Sequence, residues 1–135
     1  MDAQYELTKT QEFLQRSVRD LAKKRIASQV EDIDRAADFP QDVLNILGEN
    51  RLLGLLAPKE YGGEGAGFLD FCLMIEELSK VCPTCAVICT AQNLGCRLIA
   101  VNGSEQQKQG YIPRMATGQA LYGFALTEPE PVALD

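Results

Sequence analysis

The stretch Pro83-Thr84-Cys85-Ala86-Val87-Ile88-Cys89-Thr90-Ala91-Gln92-Asn93-Leu94-Gly95-Cys96-Arg97-Leu98-Ile99-Ala100-Val101 decides the fold. Pro83 suits a first helical turn, where a missing N–H is no loss. Apolar residues then fall on nearly every side of the helical wheel. A helix of that kind needs neighbours on most sides, which predicts the central helix of a bundle with Ile88 and Leu94 buried. Gln92, Asn93, Gly95 and Arg97 make the stretch too polar for a membrane span. Asn102-Gly103 offers a left-handed stop.

The flanking sequence reads as further helices joined by Gly/Pro loops. Thr8 and Gln11 have capping-box spacing, and Phe13, Leu14, Val18, Leu21, Ala22, Ile26, Val30 and Ile33 recur every three or four residues. That predicts one long amphipathic helix over residues 8–36. A second helix starts at Pro40 and runs through Val43, Leu44 and Leu47 to about Leu53. Pro58 to Gly67 holds four glycines and must be loop. Phe68, Phe71, Cys72, Ile75 and Leu78 give another helix. Ser104 and Gln107 form a second capping box, opening a helix that Pro113 bends or splits and Gly118 closes. Residues 121–126 read as extended. The expected fold is an all-α bundle of about five to six helices with a short extended C-terminal segment.

Composition narrows the function. The chain has 135 residues, 46% hydrophobic and 24% charged, the range of a globular domain. Thirteen Lys and Arg against 19 Asp and Glu give a net charge of -6, which argues against nucleic acid and anionic membrane surfaces as partners. There is no histidine, so His-based triads, zinc ligands and proton shuttles are excluded within this chain. The polar, acidic N-terminus is neither a signal peptide nor a transit peptide. Five cysteines, an odd number, point to reduced thiols and a cytoplasmic location.

Three constellations carry possible chemistry. Cys82-Pro83-Thr84-Cys85 is a CxxC at a helix start, a placement that lowers a thiolate pKa. The βαβ context of a redox motif is absent, and Cys82, Cys85, Cys89 and Cys96 share one helical face. Core packing is the leading reading, and redox or metal binding is the alternative. Gly62-Gly63-Glu64-Gly65 resembles a phosphate cradle, but no strand precedes it, and a structural turn is favoured. Glu76-Glu77 could be an acid/base pair. Helix neighbours point about 100° apart, which favours a solvated face.

Four segments, in order, resemble the acyl-CoA dehydrogenase family. The first is Phe39-Pro40 with Leu44, Leu47 and Leu52-Leu53-Gly54-Leu55, running on to Pro58-Lys59-Glu60-Tyr61-Gly62-Gly63-Glu64-Gly65. The second is Phe68-Leu69-Asp70-Phe71 with Glu76-Glu77-Leu78-Ser79. The third is Gly103-Ser104-Glu105-Gln106-Gln107-Lys108 with Tyr111, Pro113 and Met115. The fourth and most specific is Gly123-Phe124-Ala125-Leu126-Thr127-Glu128-Pro129. The resemblance implies a flavoenzyme with an N-terminal helical domain, a middle β domain and a C-terminal four-helix domain. FAD lies between the last two. The implied reaction removes an α-proton and a β-hydride from an acyl-CoA thioester. A Glu serves as base, flavin N5 takes the hydride, and an electron-transferring flavoprotein accepts the electrons.

On this resemblance, residues 1–120 are the N-terminal domain and residues 121–135 begin the linker or first strand toward the middle domain. Phe124, Ala125, Leu126 and Thr127 match the stretch that touches the flavin, with Thr127 near N5. Ala86, Val87, Thr90 and Leu94 match positions lining the acyl-chain slot, with plain core as the alternative. No Glu here matches the family's base, so no catalytic residue is assigned and the isolated chain is expected to be inactive. The family pattern continues Thr-Glu-Pro-x-Ala-Gly-Ser-Asp. Here Glu130-Pro131-Val132-Ala133-Leu134-Asp135 follows, without the small residues that let backbone approach pyrophosphate. A one-base shift in codons for Ala-Gly-Ser reads Pro-Val-Ala. A frameshifted or split gene is therefore expected, with an engineered boundary and true divergence as alternatives. Self-association through surfaces left by absent domains is expected. A non-catalytic helical interaction module is the alternative function. The sequence does not separate dehydrogenase from oxidase or flavin monooxygenase.

Overall fold

The computed structural model describes residues 6–36, 39–123 and 125. The helices are α1 (Lys9–Leu21), α2 (Val30–Ala36), α3 (Gln41–Glu49), α4 (Phe68–Ser79), α5 (Pro83–Asn102) and α6 (Glu105–Ala116). Short 3-10 turns at Leu52–Gly54 and Lys59–Tyr61 bridge α3 to α4. No strand occurs among the described residues, and residues 121–123 carry no regular structure. The all-α expectation holds.

Both capping boxes form. The Thr8 and Gln11 backbone N–H groups each donate to the other's side chain, at 3.0 and 3.2 Å, and Ser104 and Gln107 do the same at 2.8 and 3.3 Å. Each cap satisfies donors a helix start leaves open, worth about 1 kcal/mol. The predicted 8–36 helix is instead α1 and α2 joined by a wide π-type turn at Ala22–Ile26 and a 3-10 turn at Ala27–Gln29. Val18, Ala22 and Ile26 are buried and step by four. On an α-helix each such step drifts about 40° off the core, and the wider turn absorbs the drift.

The second helix stops at Glu49, short of the predicted Leu53. Arg51 takes a left-handed conformation (φ 59°), and the Asn50 side chain donates to the Ile46 carbonyl at 2.8 Å. The reversal sends Leu52 and Leu53 into the core. Pro113 sits inside α6 without splitting it, and Gly118 (φ 79°) closes it in the left-handed region. Gly103 does not: its φ is -73°. What it supplies is space, since a Cβ there would lie 2.6 Å from the Ile99 carbonyl oxygen.

α1 packs on α4, and α5 packs on α4, α6, α3 and the 52–54 turn. The main core gathers Val18, Ile26, Leu44, Leu47, Leu53, Met74, Leu78, Cys85 and Cys89. A second cluster holds Ala57, Cys96, Ile112 and Met115. α5 has more partner elements than any other helix, yet it is not enclosed. Ile88 is half-buried, and Leu94 is 46% exposed. By length and hydropathy α5 could cross a membrane. Its buried side carries the polar contacts of a core helix, described next.

Candidate functional site

α5 has two unlike faces. Inward, Cys85, Cys89 and Cys96 are accompanied by two buried amides, Gln92 and Asn93. Asn93 Nδ2 donates to the carbonyls of Leu52 (2.8 Å) and Cys89 (2.9 Å), while its Oδ1 accepts the Leu56 N–H at 2.9 Å. Gln92 reaches the other way, to Met115, Ala120 and Tyr122. These residues tie the loops on either side of α5 to the helix itself. Among the described residues no buried side-chain nitrogen or oxygen lacks a partner.

Outward, α5 is apolar. Val87 is 68% exposed, Leu98 49% and Val101 62%. Together with Thr90 and Leu94 they follow helical steps of three and four, forming one strip about 21 Å long. The sequence-assigned residues Val87, Thr90 and Leu94 are brought together on it. Ala86 is not: it is buried in the main core. The Thr90 hydroxyl donates to the Ala86 carbonyl at 2.8 Å, which turns it along the helix. The plain-core alternative therefore fails for Val87 and Leu94 and describes Ala86.

Of the stretch assigned to flavin, Phe124, Leu126 and Thr127 lie outside the described residues. Ala125 is described and exposed. A cleft of about 510 Å3 between α1 and residues 50–70, lined by Phe13, Leu14, Leu52 and Leu55 among others, includes none of the assigned residues.

The remaining constellations resolve structurally. Cys82, Cys85, Cys89 and Cys96 are buried free thiols and Cys72 is exposed. Burial pushes the Cys89 thiol up to about 12 and the Cys96 thiol to about 11, and it raises the Cys85 thiol as well. Cys85, Cys89 and Cys96 are thus protonated and packed, the reverse of a redox cysteine, and Cys82 is buried beside them. Among the described residues no group of three or more His, Cys, Asp or Glu could hold a metal. The glycine loop is a turn: a Cβ on Gly63 would fall within 2.1 Å of the Ala57 carbonyl oxygen. Tyr61 at its base donates to the Glu105 carboxylate at 3.0 Å, and burial first, then Glu105, raises the phenol to about 12.

The expectation for Glu76-Glu77 is overturned at Glu77. Glu76 is exposed, whereas Glu77 is buried and receives Arg19 in two parallel bonds of 2.9 Å plus Lys80 at 2.9 Å. The hydrogen bond from Arg19, opposed by burial and helped by Lys80, holds its carboxyl down at about 2. It joins α1 to α4 as a structural anion, charged at neutral pH and not poised for proton transfer. Its partner sits 58 positions away in sequence, so nothing local in α4 betrays it.

The described geometry is one helix with an anchored polar inner face and an open apolar outer face. The same architecture recurs in known proteins. A probable acyl-CoA dehydrogenase of Bacillus subtilis, YngJ, is 38% identical over 126 residues, covering 93% of this chain and 33% of that protein. A 3-sulfinopropanoyl-CoA desulfinase of Paraburkholderia xenovorans is 39% identical over 127 residues, covering 93% of this chain and 32% of that protein. A chain in the solved structure of an electron transferring flavoprotein of Acidaminococcus fermentans superposes with a TM-score of 0.85 at 34% identity, covering 96% of this chain and 34% of that one. This chain thus spans about a third of the length of the curated relatives it matches. The model of the acyl-CoA dehydrogenase N-terminal domain matches residues 8–119, from the Thr8 cap to the end of the bundle, and the chain belongs to that family.

Proposed function

We propose that this chain is the N-terminal domain of an FAD-dependent acyl-CoA dehydrogenase and supplies one wall of its acyl-chain slot. The observation that carries this reading is the outer strip of α5. Val87 and Leu94 stay exposed while α3 buries Val43, Leu44, Ile46 and Leu47 and α4 buries Leu73, Met74 and Leu78, and they coincide with the positions the resemblance assigns to the slot. An acyl chain lying along them, with Thr90 between, loses water on that side. Each fully buried Val or Leu side chain is worth about 1.5–3 kcal/mol. The strip's length of about 21 Å suits an extended chain.

The described residues fit one edge of a flavin. Gly123 and Ala125 are exposed, and a Cβ on Gly123 would meet nothing within 4 Å, so ring and backbone can approach there. When bound, FAD accepts the hydride taken from the substrate. The chain's own part is to shape the slot and exclude water from it. The base belongs to the remainder of the enzyme. The relatives' names support acyl-CoA thioesters as substrates, and the Acidaminococcus neighbour supports an electron-transferring flavoprotein as acceptor. The buried free cysteines suit the cytoplasm.

The test has two arms. The chain alone, titrated with FAD and given short- and medium-chain acyl-CoA with a dye acceptor, retains no flavin and reduces no dye. A hybrid carrying residues 1–129 in place of the matching third of the Bacillus relative binds flavin and oxidises acyl-CoA. A folded hybrid with flavin but no acyl-CoA oxidation would favour the helical interaction module instead.

A further inference from the structure

The chain segment before residue 124 is held by α5. The Tyr122 N–H donates to Gln92 Oε1 at 2.6 Å, and Gln92 Nε2 donates to the carbonyls of Ala120 (2.9 Å) and Met115 (3.3 Å). Gln92 is 1% exposed; its bond to Met115 is buried and those to Ala120 and Tyr122 are partly buried. Three residues on, Gly95 presents the same face. A Cβ there would lie 2.4 Å from Tyr122 Cγ, so the ring fills the room a side chain would need. The ring also packs on the Ala57, Cys96, Ile112 and Met115 cluster. Leu121, between the anchored residues, is 52% exposed. The exit segment is therefore fixed at the Ala120 carbonyl, the Tyr122 N–H and the Tyr122 ring, by two residues within one turn of a helix.

We propose that Gln92, seconded by Gly95, is a positioning residue that registers the exit segment against the acyl strip, and so sets where the flavin-contacting stretch meets the substrate. The proposal rests on the functional reading above. Thr90 and Leu94 lie two residues either side of Gln92 on the same rigid helix, so strip and exit segment cannot shift independently while the clamp is closed. Filling that space alone would need only an apolar side chain. A buried amide with its donor and acceptor both engaged fixes direction as well, at the desolvation cost that makes such groups specific.

Hydrogen exchange on the full 135-residue chain tests the clamp. Gln92→Leu is expected to speed exchange of the Tyr122 amide about tenfold or more relative to the α6 amides. Gln92→Glu, which keeps the acceptor, restores most of the protection. Gly95→Ala displaces the Tyr122 ring without orphaning a polar group and gives the same selective loss if Gln92→Leu does not fold. Uniform acceleration across α6 would make Gln92 merely structural and overturn the proposal. In the hybrid, Gln92→Leu is expected to lower kcat about tenfold and shift the flavin absorption, with KM within about threefold. An active hybrid indifferent to Gln92→Leu overturns this proposal alone. An inactive unsubstituted hybrid in which Tyr122 stays selectively protected by Gln92 overturns the functional reading and, with it, the flavin part of the proposal.

Discussion

The inside of this domain and the outer side of α5 invert the usual arrangement. Among the described residues the interior keeps three polar side chains, Glu77, Gln92 and Asn93, while Val87, Leu94, Leu98 and Val101 stand in solvent on α5. Buried polar groups and exposed apolar strips are each the informative exception in a folded protein. Here they answer different needs. The inner groups are fully partnered and hold loops and helices to one another. The outer strip has no intramolecular task, and under the proposed function it is the surface offered to ligand or to the rest of the enzyme.

The sharpest way to break the inner half of this contrast is Asn93→Leu. It orphans the buried Leu56 N–H and Leu52 carbonyl, both bonded at 2.8–2.9 Å in the intact chain. Leaving such groups unpaired costs about 1–3 kcal/mol each, so a loss of about 3 kcal/mol is expected in urea unfolding. A loss below about 1 kcal/mol would mean that the loops are held by packing alone.

Glu77 comes next, and its effect depends on pH. Its folded value of about 2 lies below the ordinary 4.5. A carboxyl lowered on folding stabilises fully above its unfolded value, and the contribution fades as pH falls from about 4.5 toward 2. Glu77→Gln should cost on the order of 2 kcal/mol at pH 7, where Arg19 loses its ion pair and Lys80 keeps only the one to Glu76; both cations are partly exposed and regain water. The gap between the two proteins should narrow in acid. Urea midpoints at pH 7 and pH 3 measure it. A gap that is constant with pH would assign the effect to packing.

The same contrast explains what the sequence disclosed. Caps and breakers are local chemistry, so Thr8, Ser104, Pro83 and Gly118 mark their boundaries. The π-type turn and the left-handed Arg51 were hidden because each answers a tertiary demand, the alignment of Val18, Ala22 and Ile26 or the return of Leu52 to the core. Glu77 was hidden because its cation comes from α1. α5 misled most: a wheel apolar all round carries no sign of which side faces in. The usable signal was Gln92, Asn93 and Gly95. On a helix that must be buried somewhere, adjacent amides have to find backbone partners, and a glycine three residues after Gln92 signals close approach. Of the assigned site, Val87, Thr90 and Leu94 share the open face while Ala86 went to the core. Phe124, Leu126 and Thr127 are assigned by family resemblance alone and lie outside the described residues.

The outer strip gives the smallest effect on stability and the one that separates the two faces most cleanly. Val87 and Leu94 are already 68% and 46% exposed, so replacing both with Gln removes little buried surface. Surface substitutions away from special features stay within about 0.5 kcal/mol each, and a helix tolerates Gln about as well as Leu and slightly better than Val. Urea unfolding of the isolated chain should hardly move. Two other measurements should. Self-association is expected to use the exposed apolar strip, so the double substitution should lower the sedimentation-average mass of concentrated protein. In the hybrid, where an acyl chain is to lie on the strip, it should raise KM for medium-chain acyl-CoA more than for short-chain. A stability loss of several kcal/mol would return both residues to the core. Unchanged stability with unchanged association and unchanged chain-length preference would leave the strip without a role. The intermediate result, altered association with unaltered preference, would make it a docking face for the rest of the enzyme and move the acyl slot elsewhere.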